Sequence, residues 1–281
     1  MAGRCELEHI AKAICDKGGF SYVQFIDAGA FKETFQIYDG KKNHSLKVFK
    51  ANNHHERTAR EIDAMRRASC NNVAKLLMVD NIIHNHDTYL YLIEEFLSGG
   101  SLGTLLEKST ISRNELLNLG NDLICALEAT YRERIVHRDI KPDNIMFRGN
   151  RNDAVLVDFG LVRDLEATSL TQAFHMRGPG TPLYSAPEQL NNQKAMIDWR
   201  TDQFALGITL CEAILGEHPF CAGNSIKTVE KIASLKKCND VTIKKIADLG
   251  LEPLLKMLEP YPIGRYRTPS LLKNAWSKME V

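Results

Sequence analysis

No sign of charge dominates this chain of 281 residues: 36 Lys and Arg stand against 35 Asp and Glu, a formal charge of +1. That balance removes any whole-chain argument for nucleic acid or a membrane surface, so partners have to be read from individual sites. Cysteine pairs with C-x-x-C spacing are also missing; the seven cysteines, at 5, 15, 70, 125, 211, 221 and 238, are odd in number and scattered. This argues against a disulfide framework or a zinc site and fits reduced thiols in a reducing, cytoplasmic setting. Long hydrophobic runs are lacking too. The opening MAGRCELEHIAKAICDKGG carries Glu6, Glu8 and Asp16, has no uninterrupted apolar stretch of the kind a secretory signal needs, and reads as a short amphipathic helix. The most apolar segment, FALGITLCEAILG at 204–216, has thirteen residues and is broken by Glu212. It falls short of the roughly 20 residues that span a bilayer and reads as a buried helix.

Glycine is scarce at one place where chemistry would ask for it. The stretch FIDAGAFKETF, 25–35, has the outline of a phosphate-covering G-x-G-x-x-G loop, but only the middle glycine, Gly29, is there; Asp27 and Lys32 take the other two places. Glycine suits such loops because backbone N–H groups can approach phosphate oxygens with no Cβ in the way. Whether Ala28, Gly29 and Ala30 still hold a nucleotide is therefore an open question at this point.

What is present is ordinary globular material, 44% hydrophobic and 25% charged. Residues 21–97 show short β-like runs (SYVQFI, TFQIYD, HSLKVFK, YLYLIEEFL) around one helical stretch near 55–69. After SGG at 98–100 the pattern turns helical: Ser112 and Glu115 form a capping box, and Leu116, Leu119, Leu123 and Leu127 predict a helix over 113–132. An α+β chain follows, with an extension at 1–19, a strand-rich part at 20–97 and a mainly helical part at 98–281. His54, His55, His84 and His86 read as a helix start and a hairpin turn rather than a metal site, since no cysteine or carboxylate cluster completes one. The lysines of KTVEKIASLKKCNDVTIKK read as solvated helix faces.

The most informative stretch is IVHRDIKPDNIMF, 135–147. Asp139, Lys141 and Asn144 put a carboxylate, an ammonium and a carboxamide within six residues of loop, a set able to orient a hydroxyl and neutralise phosphate and metal. Fourteen residues past Asn144, the strand AVLVDFG ends in Asp158, Phe159 and Gly160, an oxygen ligand suited to a hard cation. GTPLYSAPE then closes on Ala186, Pro187 and Glu188.

In the order and spacing of these motifs, over about 20–277, the sequence resembles the eukaryotic-type protein kinases. The resemblance implies a bilobal fold and an ATP-dependent phosphotransferase that needs Mg²⁺, with Mn²⁺ as a substitute. It implies that Lys47 grips the α- and β-phosphates and that Glu61, with Met65 one turn on, pairs with that lysine. Asp139 would be the catalytic base and Lys141 the neutraliser of the transferred group, with Asn144 and Asp158 as metal ligands. Ala28, Gly29, Ala30, the Glu95–Leu97 hinge and Met146 would contact the nucleotide, and Arg265 would pair with Glu188. His137 is expected to be a packed core residue.

Several positions depart from the family pattern. Thr34 and Ser45 stand where valine and alanine usually cover the base, and Glu94 takes the gatekeeper place, where a buried carboxylate needs a partner; Lys47 is the nearest candidate. Lys32 is expected to offset Asp27, and the loop to be stiffer with weakened ATP affinity. Arg138, with Arg163 and Arg57 or Arg60, would form a basic pocket, but the usual phosphate-acceptor position holds Arg177. Thr168, Ser169, Thr171 or the carboxylate of Glu166 would then satisfy it. Lys141 and Thr181 point to the Ser/Thr subclass, acting on protein hydroxyls and on itself, with no nucleic acid or membrane partner. The alternatives are a nucleotide-sensing pseudokinase or scaffold, and a small-molecule kinase; the 31-residue segment from Asp158 to Glu188 speaks against the latter.

Overall fold

The computed structural model describes residues 5–29, 31–50, 55–159, 163–164 and 182–279; at 55–58, 60–61 and 163–164 the description covers the backbone only. Helix α1 (Glu8–Gly18) leads into strands β1 (Ser21–Ala28), β2 (Lys32–Tyr38) and β3 (Asn43–Phe49). Helix α2 (His55–Arg67) precedes β4 (Leu76–His84) and β5 (Asp87–Glu95). These strands form one antiparallel sheet in the order β1-β2-β3-β5-β4. The sequence patterns single out four of the five strands and pass over β4. Its outward side chains Leu77, Met78 and Ile83 are exposed, and a register shift between Leu76 and Met78 breaks the two-residue alternation by which a strand is recognised. His84 closes β4 and His86 lies in the turn, where Asn85 and His86 both have positive φ, the usual condition for a tight hairpin.

One face of the sheet is covered by α1. Ile10, Ala11, Ile14 and Cys15 pack with Phe35, Ile37, Leu46, Val48, Tyr91 and Ile93 in a single core. The start of α1 has no local side-chain cap. Instead the buried carboxylate of Glu33 in β2 accepts the backbone N–H of Glu6 at 3.0 Å and of Leu7 at 2.9 Å, a cap supplied from across the fold.

The second lobe is helical, with α3 (Leu102–Leu106) and α4 (Arg113–Arg132) followed by four short strands, β6 (Ile135–Val136), β7 (Ile145–Phe147), β8 (Ala154–Leu156) and β9 (Arg163–Asp164). Then come α5 (Pro187–Leu190), α6 (Trp199–Leu215), α7 (Ser225–Ala233), α8 (Asp240–Asp248), α9 (Glu252–Met257) and α10 (Pro269–Ser277). The Ser112–Glu115 capping box is formed as the sequence predicts and α4 runs 113–132. The apolar run at 204–216 is a helix buried on nearly every side, and its one acid, Glu212, accepts the Tyr184 hydroxyl at 2.5 Å. No described helix is long and apolar enough to cross a membrane. Trp276 of α10 seats on Gly120 of α4, where a Cβ would come within 2.0 Å of the indole, and donates its ring N–H to Leu117 O. Arg265 and Glu188, both fully buried, form a bidentate pair at 2.7 and 3.0 Å.

The lobes are stitched together beside the hinge. Arg148, just past β7, donates from Nε and Nη2 to the two oxygens of Glu95 at the end of β5. Ala74 N–H donates to Leu156 O, and Leu156 N–H to Asn72 O. The sheet therefore meets the second lobe with its β5 end fixed.

Two stability predictions follow from the buried acids. Glu33→Ala orphans the first N–H groups of α1 and should cost about 1–3 kcal/mol in denaturant unfolding, with faster amide exchange at residues 6 and 7. Arg265→Ala leaves Glu188 buried and uncompensated and should cost about 3–5 kcal/mol, read as a lowered Tm.

Candidate active site

The loop after β6 is held from below by Asp202 of α6. Its buried carboxylate accepts the backbone N–H of His137 at 2.7 Å and of Arg138 at 2.8 Å. Burial pushes the Asp202 carboxyl up to about 6, opposed by His137 and by those two N–H bonds. Arg138 is pinned at a φ of 69°, a conformation that non-glycine residues seldom adopt, and its carbonyl accepts Gln189 Nε2. His137 is fully buried, as expected: one ring nitrogen lies 3.1 Å from Val157 O, the other accepts Asp139 N–H, and the ring packs on Phe159 at 4.7 Å.

This frame delivers the three predicted loop groups to one point. Lys141 Nζ and Asn144 Nδ2 both donate to Asp139 Oδ2 at 2.9 Å, and Asn144 Nδ2 also donates to the Asp139 carbonyl. Asp139 Oδ1 accepts no hydrogen bond among the described residues, which leaves it able to take a proton from a hydroxyl. With its amide nitrogen committed, Asn144 keeps Oδ1 for a cation.

Asp158 stands across from this group with a φ of 64°, a second strained position beside the first. Burial works against its ionisation, but the ammonium groups of Lys32 and then Lys47 prevail and hold the carboxyl well below the usual carboxylate range. Two oxygen donors from protein, Asp158 and Asn144, fit a Mg²⁺ ion, which keeps waters and substrate phosphate as its other ligands. No cluster of three or more His, Cys, Asp or Glu able to hold a metal occurs among the described residues, which do not include His54 or the side chain of His55.

Lys47 and Glu94 meet as the sequence suggests, Nζ to Oε2 at 2.7 Å, on neighbouring antiparallel strands β3 and β5. Glu94 is buried, and its Oε1 makes no hydrogen bond among the described residues. Lys32 places Nζ 2.7 Å from Asp158 Oδ1, a partner the sequence does not name; β2 pairs Lys32 with Phe49 and Thr34 with Lys47, so both lysines leave the sheet on its cleft face. That parity was available in the sequence once β2 was assigned. Glu33 and Arg148, by contrast, carry no local signal, since each acts on residues distant in the chain.

Leu97 and Met146 share a small apolar cluster with Ala74, Val155 and Val157 beside the hinge. Ala28 ends β1, and Gly29 N–H donates to Lys32 O across the turn. Among the described residues, a Cβ on Gly29 would meet only that carbonyl, at 3.4 Å. Ala30, Glu166, Thr168, Ser169, Thr171, Arg177 and Thr181 lie outside the described residues, as do the side chains of Glu61, Arg57, Arg60 and Arg163. Met65 is buried in the same core as Phe159, and the β9 backbone pairs Arg163 with Val136, next to the loop that carries Asp139.

Comparison with known proteins places this arrangement. A probable serine/threonine-protein kinase of Dictyostelium discoideum is 30% identical over 84% of this chain and 51% of its own length. A serine/threonine-protein kinase of Saccharomyces cerevisiae is 27% identical over 77% of this chain and 20% of its own. A probable serine/threonine-protein kinase of Clostridium perfringens is 29% identical over 75% and 30%. The chain thus spans about half or less of the length of these relatives. The family described as "Protein kinase domain" matches residues 20–277, and with the fold and the cleft as they are, the chain belongs to the protein kinase domain family.

Proposed function

We propose that this chain is a serine/threonine protein kinase that transfers the γ-phosphoryl group of ATP to protein hydroxyls, its own included. The observation that carries the reading is the convergence of Lys141 and Asn144 on Oδ2 of Asp139, which leaves the other oxygen for the acceptor hydroxyl. On this reading Asp139 accepts the hydroxyl proton as the oxygen bonds to the γ-phosphorus. The bond from that phosphorus to the β–γ bridging oxygen breaks, and Lys141 meets the charge on the transferred group. Asn144 and Asp158 would hold Mg²⁺, which when bound neutralises the phosphates. Lys47, freed from Glu94 toward Glu61, would grip the α- and β-phosphates, and the base would lie against Ala28, Leu97 and Met146 with the Glu95 carbonyl and Leu97 N–H at its edge.

Residues 20–97 then form the nucleotide-covering lobe and 98–281 the lobe that carries the acceptor, with 1–19 as an extension. Unpaired thiols, seven of seven, suit a cytoplasmic setting. The names of the relatives and the intact set of Lys47, Glu61, Asp139, Lys141, Asn144 and Asp158 speak against a pseudokinase.

The test is incubation of the purified chain with labelled ATP, Mg²⁺ and a generic basic protein, with phosphosites mapped by mass spectrometry; label on serine or threonine is expected. Lys47→Ala, Asp139→Asn and Asp158→Asn should each remove most transfer with unchanged far-UV circular dichroism, since catalysis here is positioning and charge stabilisation. Near-wild-type turnover in Asp158→Asn would refute the mechanism. Glu94→Met, which releases Lys47, should raise turnover or lower KM for ATP, and a clear loss would show that the acid belongs to the working site.

A further inference from the structure

The Lys32 ammonium occupies one of the two carboxylate oxygens that Asp158 could offer a metal ion. Its Nζ is 2.7 Å from Asp158 Oδ1, and the side chain is only 14% exposed, lying over the Phe49 ring at 5.7 Å. The contact is supported from both ends. On the strand's other face the next residue, Glu33, is fixed to the start of α1, and the Lys32 carbonyl accepts Gly29 N–H. Asp158, for its part, is held at a positive φ beside Phe159, which is buried against His137. Lys47 is engaged elsewhere, on Glu94.

We propose that Lys32 is an internal competitor of the divalent cation at Asp158, so that metal binding has to displace an ammonium from the carboxylate before the nucleotide site is complete. This rests on the reading of Asp158 as a metal ligand. A Mg²⁺ ion bonds its oxygen at about 2.0–2.1 Å and dehydrates reluctantly, so a second cation on the same carboxylate raises the cost of seating it. The departure from glycine in the phosphate loop thereby becomes a setting of the metal requirement. Once displaced, the same ammonium remains on the cleft face, within the region the phosphates would occupy.

The experiment is a Mn²⁺ titration of the whole chain in saturating adenylyl imidodiphosphate, with free Mn²⁺ read by electron paramagnetic resonance, for the wild type, Lys32→Met, Lys32→Arg and Asp158→Asn. Removal of the competing charge should lower the Mn²⁺ dissociation constant in Lys32→Met by about three- to tenfold. Lys32→Arg, which keeps the cation, should stay near the wild type. An unchanged or weaker Mn²⁺ affinity in Lys32→Met, with binding still lost in Asp158→Asn, overturns the competition while leaving the metal ligand assigned. Mn²⁺ binding that survives Asp158→Asn overturns that assignment itself and the inference with it.

Discussion

Two hydrogen bonds to one buried carboxylate set the geometry of the cleft. Asp202 accepts the backbone N–H groups of His137 and Arg138 at 2.7 and 2.8 Å, and α6, which carries it, is packed on almost all sides. A carboxylate so placed has to be compensated, and here the compensation is the loop itself. The bonds turn Arg138 into its left-handed conformation, which aims Asp139 at Lys141 and Asn144. They also seat His137 between Val157 O and the Phe159 ring, so the strand end carrying Asp158 is located by the same anchor. Asp139 and Asp158 are thus both located by one residue of α6, Asp202.

The glycine-poor loop takes its meaning from this frame. A flexible phosphate loop relies on glycine; here β2, which follows the turn, is held by attachment on both faces. Glu33 ties β2 to α1 on the outer face of the sheet, and Lys32 ties it to Asp158 on the inner face. At Gly29, a Cβ would meet only the Lys32 carbonyl, at 3.4 Å, among the described residues. At the back of the cleft, Lys47 and Glu94 form a second buried pair, one oxygen of which is without a hydrogen bond among the described residues. Such a pair is an uncertain asset for stability and a ready element for rearrangement.

What could be read from the sequence was local in origin. The helix at 113–132 announced itself by a capping box and a leucine spacing that need no tertiary knowledge, and the Asp139–Asn144 loop by residue types within six residues of one another. The Arg265–Glu188 contact was anticipated through family resemblance, the Lys47–Glu94 contact from the cost of burying a bare carboxylate where the chain departs from the family, and both are formed. β4 was missed because its outward face is apolar and its register slips at Met78. The Glu33 cap and the Glu95–Arg148 bridge were missed because a charged residue in a strand gives no hint of which distant backbone or side chain will answer it. Lys32 lies between these cases: strand alternation fixes its face, but its partner 126 positions away emerges only from the packed lobes.

On the proposed function, the Asp139 loop is preset by Asp202 while the two cleft lysines change partners as nucleotide and metal enter. A crystal structure with Mg²⁺ and adenylyl imidodiphosphate tests this most directly. The predicted result has His137 and Arg138 still donating to Asp202, the metal on Asp158 and Asn144, Lys32 off Asp158, and Lys47 moved from Glu94 to phosphate oxygens. A bound nucleotide with Lys32 still on Asp158 and Lys47 still on Glu94 would contradict it.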